Sequence, residues 1–233
     1  KGVLRILGSS SSLAFNNQTL IGDSTGRLEV EGVAHGPQNL ILTNITLAIL
    51  GDMADTQDIN LGGTGKLELY ASSALNNGVY AFSDITIGNG ATLRLVSSDN
   101  RDLDYVNDRG VELHITNNLT VASGGKIDAS GTGYAPIGVT GVGPGAGQNM
   151  TSGGFQVGGG GAGYGGVGQS SAGSGGISYG SFTNPVDLGS AGGGGHHYVA
   201  YPGGPGGGAI HLIVDGTLTV NGEISADAGI KPN

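Results

Sequence analysis

The chain has 233 residues, of which 50 are glycine and 12% are charged, about half the usual quarter. Its formal net charge is −9, with nine lysines and arginines in all, which argues against nucleic acid, a partner that needs clustered cations. No cysteine is present, so disulfides and thiolate metal sites are excluded and cysteine usage does not mark the compartment.

Over residues 1–132 the pattern alternates in short bursts: GRLEVEG (26–32), GKLELYA (65–71), ATLRLVS (91–97) and VELHIT (111–116). Alternation with period two predicts half-buried strands, and the Gly, Asn, Asp and Ser between them are turn formers. No helical stripe with caps is present. The stretches TLIGDSTGRLEVEG (19–32), INLGGTGKLELYAS (59–72), ITIGNGATLRLVSS (85–98), LTVASGGKIDASG (119–131) and LTVNGEISADAG (218–229) share one form. Each is a strand, a short turn, a second strand and another turn. Self-similarity without a helix marks a solenoid, whose units bury their apolar faces on their neighbours.

The expected fold is all-β: a right-handed parallel β-helix with a long glycine-rich insertion. Leu28, Val30, Leu67, Leu69, Leu93, Leu95, Leu113, Ile115, Ile127 and Val220 are expected to point inward. An antiparallel sandwich, whose strands also recur every 8–12 residues or so, is the competing architecture. The repeated strand–turn–strand unit favours the solenoid. The longest apolar run, LILTNITLAIL (40–50), is broken by Thr43, Asn44 and Thr46 and falls short of a membrane span. The opening Lys1-Gly2-Val3 is what a processed chain or an excised fragment would show.

Residues 133–208 are glycine at nearly every second or third position, and residues 209–233 resume the β pattern as a last coil and tail. We read all three stretches as one continuous domain, with the glycine segment packed on the solenoid. A mobile linker is one reading of such a composition. The segment nevertheless holds five of the eight tyrosines and a single charged side chain besides histidine, Asp187, the reverse of a disordered tail. Polyglycine-II-like packing, with three residues per turn, suits it better.

Four pieces, LTVASGGKIDASGTG (119–133), GGGGAGYGG (158–166), SYGSFTNPVDLGSAGGGG (178–195) and GGPGGGAIHLIVDGTLTVNGEISADAG (203–229), resemble the glycine-rich parallel β-helix modules of large secreted bacterial surface and adhesin-type proteins. Residues 1–118 carry the general solenoid pattern. The resemblance implies an extracellular or cell-surface location and a structural or adhesive role. It supplies no catalytic residue.

The densest polar cluster, SSDNRDLDYVNDRG (97–110), offers Asp99, Asp102, Asp104 and Asp108 as calcium ligands, since Ca²⁺ takes six to eight oxygens or so. The spacing lacks the EF-hand pattern, and a solvated loop with local ion pairs is the plainer reading. Arg94, Arg101 and Arg109 are the candidate bases if the chain is a lyase-like enzyme. GDMADTQD (51–58) reads as an exposed loop. His196, His197 and His211 are metal-ligating residue types, but neighbours on an extended chain point apart. Tyr164, Tyr179, Tyr198 and Tyr201 are either a sugar-stacking platform or anchors of the glycine segment. Asn17, Asn44, Asn118 and Asn149 head Asn-x-Ser/Thr triplets, which mark glycosylation or arise by chance in so polar a chain.

The functional expectation is a noncatalytic extracellular structural protein that self-associates into a surface fibre, sheath or adhesin. The alternative is a carbohydrate-binding module or a polysaccharide-lyase-like enzyme. No cofactor is expected beyond calcium, and no nucleic-acid partner or membrane span.

Overall fold

The computed structural model describes residues 2–15, 19–71, 75–98, 103–105, 108–150, 157–181, 183, 186–197 and 199–230. Asp99, Asp102, Asn17 and Tyr198 lie outside them. The chain divides into two compact units. Unit 1 comprises Lys1–Val96, Val111–Asp128 and His211–Ser225; unit 2 comprises Ser97–Gly110, Ala129–Ile210 and Ala226–Asn233.

Unit 1 is a parallel β-helix with three strands to a coil. The coils run β1 (Val3–Ile6), β2 (Ser12–Ala14), β3 (Thr19–Ile21); β4 (Arg27–Val30), β5 (Val33–His35), β6 (Asn39–Thr43); and β7 (Thr46–Ile49), β8 (Asp52–Ala54), β9 (Asp58–Gly62). They continue with β10 (Lys66–Tyr70), β11 (Val79–Phe82), β12 (Asp84–Ile87); then β13 (Thr92–Val96), β14 (Val111–Ile115), β15 (Leu119–Val121). After β16 (Lys126–Asp128) the chain leaves for the glycine segment, which contains the hairpin β17 (Gly195–His197) and β18 (Val199–Tyr201). It returns as β19 (Ile210–Val214), β20 (Leu218–Val220) and β21 (Glu223–Ser225).

Every third strand pairs in parallel. One sheet orders β1-β4-β7-β10-β13-β16-β21, a second β20-β15-β12-β9-β6-β3, and the third face is split into β2-β5-β8 and β11-β14-β19. At the split, Tyr80 is buried and its hydroxyl lies 2.8 Å from the Tyr70 carbonyl and 3.1 Å from that of Gly51, donating to one at a time. Asn76 donates to the same Gly51 carbonyl at 2.9 Å.

The alternation of the sequence builds the core directly, because successive strand residues face opposite sides. Leu4, Leu28, Leu47, Leu67, Leu93, Ile127 and Ile224 are register partners from strand to strand of the first sheet. The inner members, Leu47, Leu67, Leu93 and Ile127, have no exposed surface. Each such side chain contributes about 1.5–3 kcal/mol on burial. Val30, Leu69, Leu95, Leu113 and Ile115 are likewise buried, as the alternation predicts. Leu28 is half-buried beside the outermost rung, and Val220, expected inward, is exposed because it lies on an end rung. The stretch 51–58, expected to be a loop, contains β8, which pairs with β5.

Unit 2 has a different logic. In residues 189–194 the amides of Gly189 and Gly192 bond Gly207 and Gly204, those of Ala191 and Gly194 bond Val142 and Val139, and that of Gly193 bonds Gly160. Bond direction therefore repeats every third residue, as a threefold polyglycine-II-like screw requires. The same step recurs where the amides of Gly173, Gly176 and Tyr179 bond Gly158, Gly161 and Tyr164. Such an array closes tightly: a Cβ on Gly160 would lie 1.9 Å from the Ser174 carbonyl oxygen. A small apolar cluster of Tyr134, Val142, Leu188 and Ala209, with Tyr105 packed on it, completes the unit.

Candidate functional surfaces

The alternation in RLEV, KLELY, TLRLV and KID sends the Leu and Ile inward and the charged residues outward on the seven-stranded sheet. Register then stacks the outward groups. Arg5, Glu29, Ala48, Glu68, Arg94 and Asp128 follow one another in one row. Arg27, Thr46, Lys66, Thr92, Lys126 and Glu223 form the adjacent row. Ala48 is fully buried and leaves room for Arg27, whose Nε reaches Glu29 at 2.6 Å and whose Nη2 reaches Glu68 at 2.7 Å. Arg5 bonds Glu29 from the other side, and Lys66 stands 3.8 Å from Glu68. Farther along, Arg94 bonds Asp128, and Lys126 lies 3.0 Å from Glu223 and 3.8 Å from Asp128.

The electrostatics follow from this geometry. The bond to Glu68 raises the Arg27 pKa above its ordinary value despite desolvation. The Arg27 bond, helped by Arg5, holds Glu29 below the usual carboxylate range. Burial lifts the Tyr70 phenol, and the neighbouring Glu68 charge adds to that. Pairs of this kind link one coil to the next, and Glu68, almost fully buried, is the most desolvated acid of the ladder. Arg94, a candidate base by sequence, has an acid partner in Asp128 on the next strand. Glu29, Glu68 and Arg27 belong to no motif that marks them in the sequence.

A second surface is apolar. On the end rungs of unit 1, Val3 is 53% exposed, Leu4 61% and Ile21 71%, while Leu218, Val220 and Ile224 are 47%, 43% and 38% exposed. The register rows of Leu4, Leu218, Val220 and Ile224 are filled inward by the fully buried Leu47, Leu119, Val121 and Ile127, so at these positions each end presents an uncovered rung of the core ladder. Val3 and Ile21 instead head outward rows through Arg27 and Thr43.

The expected site residues are placed as follows. Asp104 and Asp108 belong to unit 2, in a segment closed by a Ser98–Arg109 bridge and carrying Leu103 and Tyr105 at positive φ. Among the described residues no group of three or more His, Asp or Glu side chains is arranged to hold a metal ion. Tyr164 and Tyr179 meet edge to face, with ring centroids 5.0 Å apart. The Tyr179 hydroxyl donates to the Leu188 carbonyl and accepts from Ser190 Oγ at 2.9 Å, and Ser190 Oγ accepts the Gly145 amide. Burial pushes the Tyr179 phenol up to about 12. Burial, with Asp187 nearby in charge, also raises Tyr164. These two rings thus anchor the glycine bundle.

Tyr201 is apart from them, on the β17–β18 hairpin with His196 and His197. His211 pairs instead with Glu112 at 2.8 Å within unit 1. Of the triplet asparagines, Asn44 sits at φ +54° and accepts the Thr64 amide at 2.9 Å. Asn118 donates to Asp84 and accepts the Thr217 amide, both at 3.1 Å. Asn149 is half-buried in unit 2.

No protein-family model matches this sequence, and neither a curated protein nor a solved structure matches it.

Proposed function

We propose that this chain is a noncatalytic structural module of an extracellular or cell-surface assembly, joined to further copies through the end rungs of its β-helix. The observation that carries the reading is the pair of uncovered apolar rungs, Leu4 at one end and Ile224 at the other. Both lie in the register row that is fully buried inward. Unpaired strand edges are templates for further strands, and a head-to-tail contact that does not close makes a filament. The outward ionic ladder supports the same reading, because its charges engage one another from coil to coil. The low charge density opposes close contact little, while a net charge of −9 keeps the chain from indiscriminate clumping.

Sedimentation velocity across a concentration series tests the proposal. The intact chain is expected to associate, and Leu4→Lys and Ile224→Lys to remain single particles with unchanged circular dichroism. A monomer at every concentration would overturn self-association. Release of unsaturated products from acidic polysaccharides would overturn the noncatalytic part and favour the lyase-like alternative.

A further inference from the structure

On the seven-stranded sheet the two ends of unit 1 carry opposite charges. β1 is the edge strand at one end of this sheet and β21 the edge strand at the other. On the outward face β1 presents Arg5, whose side chain is 60% exposed, and β21 presents Glu223, 59% exposed. Glu29 bonds Arg5 from the inner side and Lys126 approaches Glu223 from the inner side. The outer side of each is where a further strand would lie. The other faces end in the same way. β3 and β20 are the edges of the second sheet, and β2 and β19 are the outermost strands of the third face. Each strand of the first coil therefore has a counterpart on the same face of the last coil.

We infer that copies of this chain join in one direction and one register: β1 of one copy adds in parallel to β21 of another, Leu4 lies over Ile224, and Arg5 pairs with Glu223 across the joint. The inference rests on the end-rung assembly proposed above and adds its polarity and its contacts. The register follows from the core row, which Leu4 heads and Ile224 ends. With Leu4 over Ile224, Arg5 falls beside Ser225, a small and buried residue. Glu223 is then one strand away and one outward position along. That is a shorter reach than the one Arg27 makes to Glu68, two strands away across the small Ala48. On the second sheet the rows headed by Thr19 and Leu20 end at Thr219 and Val220, so the same stacking continues them too. A joint between two like ends fails on both counts. A two-fold axis would make the added strand antiparallel, and it would bring Arg5 towards Arg5 or Glu223 towards Glu223, where like charges across a strand pair destabilise it. Head-to-tail joining leaves the same two ends free and therefore repeats.

The chain has no cysteine, so disulfide trapping reads the joint directly. Full-length Leu4→Cys and Ile224→Cys chains are mixed under mild oxidation at a concentration where the intact chain associates. The two are expected to cross-link with each other and neither with itself, because parallel neighbours stand within the Cα separation of about 4.4–6.8 Å that a disulfide accepts. A second measurement leaves the apolar rungs intact. Arg5→Gln and Glu223→Gln are each expected to weaken association about threefold in sedimentation, and the double variant no more than either single one. Within one chain six strand-to-strand steps of about 4.8 Å each separate the two residues, so non-additivity between them arises only across the joint. An associating chain that forms like-with-like disulfides, or none, overturns this inference alone, as do losses that multiply in the double variant. A chain that stays single at every concentration overturns both this inference and the assembly it rests on.

Discussion

Thr56 carries a hydroxyl that has nothing to bond among the described residues, and it is 7% exposed. It is hemmed in by Gly36, where an added Cβ would lie 2.2 Å from Oγ1. Valine has the same shape without the hydroxyl, so Thr56→Val removes the orphan and keeps the packing. We expect it to stabilise the chain by about 1 kcal/mol, the lower end of the cost of an unsatisfied polar group. Urea denaturation measures this, and a loss of stability would mean that a buried water serves the hydroxyl. Tyr179 is the counter-case, a half-buried side chain whose hydroxyl is engaged by Leu188 and Ser190. Its phenol is raised from 10.0 to about 12 by burial, so ionisation favours the unfolded chain. Its contribution is complete below pH about 10 and is lost as pH rises towards about 12. Stability measured at steps across that window should fall, and Tyr179→Phe should flatten the slope. Some slope will persist, because burial raises Tyr80 in the same direction.

At the level of elements the chain uses two periods, and they were not equally legible. Period two is written in side chains: Leu and Ile alternate with Arg, Glu and Lys in β4, β10 and β13, so the strands and their inward faces follow from the sequence. Where the turn shrinks, the signal fades. Residues 40–50 read as one broken apolar run, yet they are β6 and β7, with Asn44 turning the chain at φ +54° between them. The ionic ladder was legible as alternation but not as contact, because coil lengths decide which charge meets which. Period three was barely visible, since glycine has no side chain with which to mark a face. The aromatic content of the segment indicates order but carries no mark of the bond pattern. Substitution separates the two kinds of glycine. Gly160→Ala drives a methyl into the Ser174 carbonyl and should cost at least about 1–3 kcal/mol. Gly165, which meets nothing within 4 Å, should accept alanine with no loss, and thermal melts of the pair provide the comparison.

At the scale of the whole molecule, unit 1 behaves as a stack in which each coil supports its neighbours. Leu67→Ala, in the middle of the row, should cost about 2–5 kcal/mol. Leu4→Ala, on the exposed rung of the same row, should cost less than about 1 kcal/mol, since little burial is lost. Calorimetry on the two variants, at a concentration where the chain is monomeric, measures the contrast. In chain order, the three stretches that make unit 2 each follow a strand of the seven-stranded sheet, β13, β16 or β21. The glycine stretch among them is subject to an arithmetic of insertion and deletion. One extra residue in 189–194 turns every later amide by about a third of a revolution, away from its acceptor, whereas three extra residues complete a revolution and restore direction. A single glycine inserted after Gly192 should therefore lower the melting temperature more than a triplet inserted at the same place, although the triplet adds more chain. Lineages that lengthen or shorten this stretch would do so in steps of nine nucleotides, a spacing imposed by the backbone screw and invisible to any comparison of side chains.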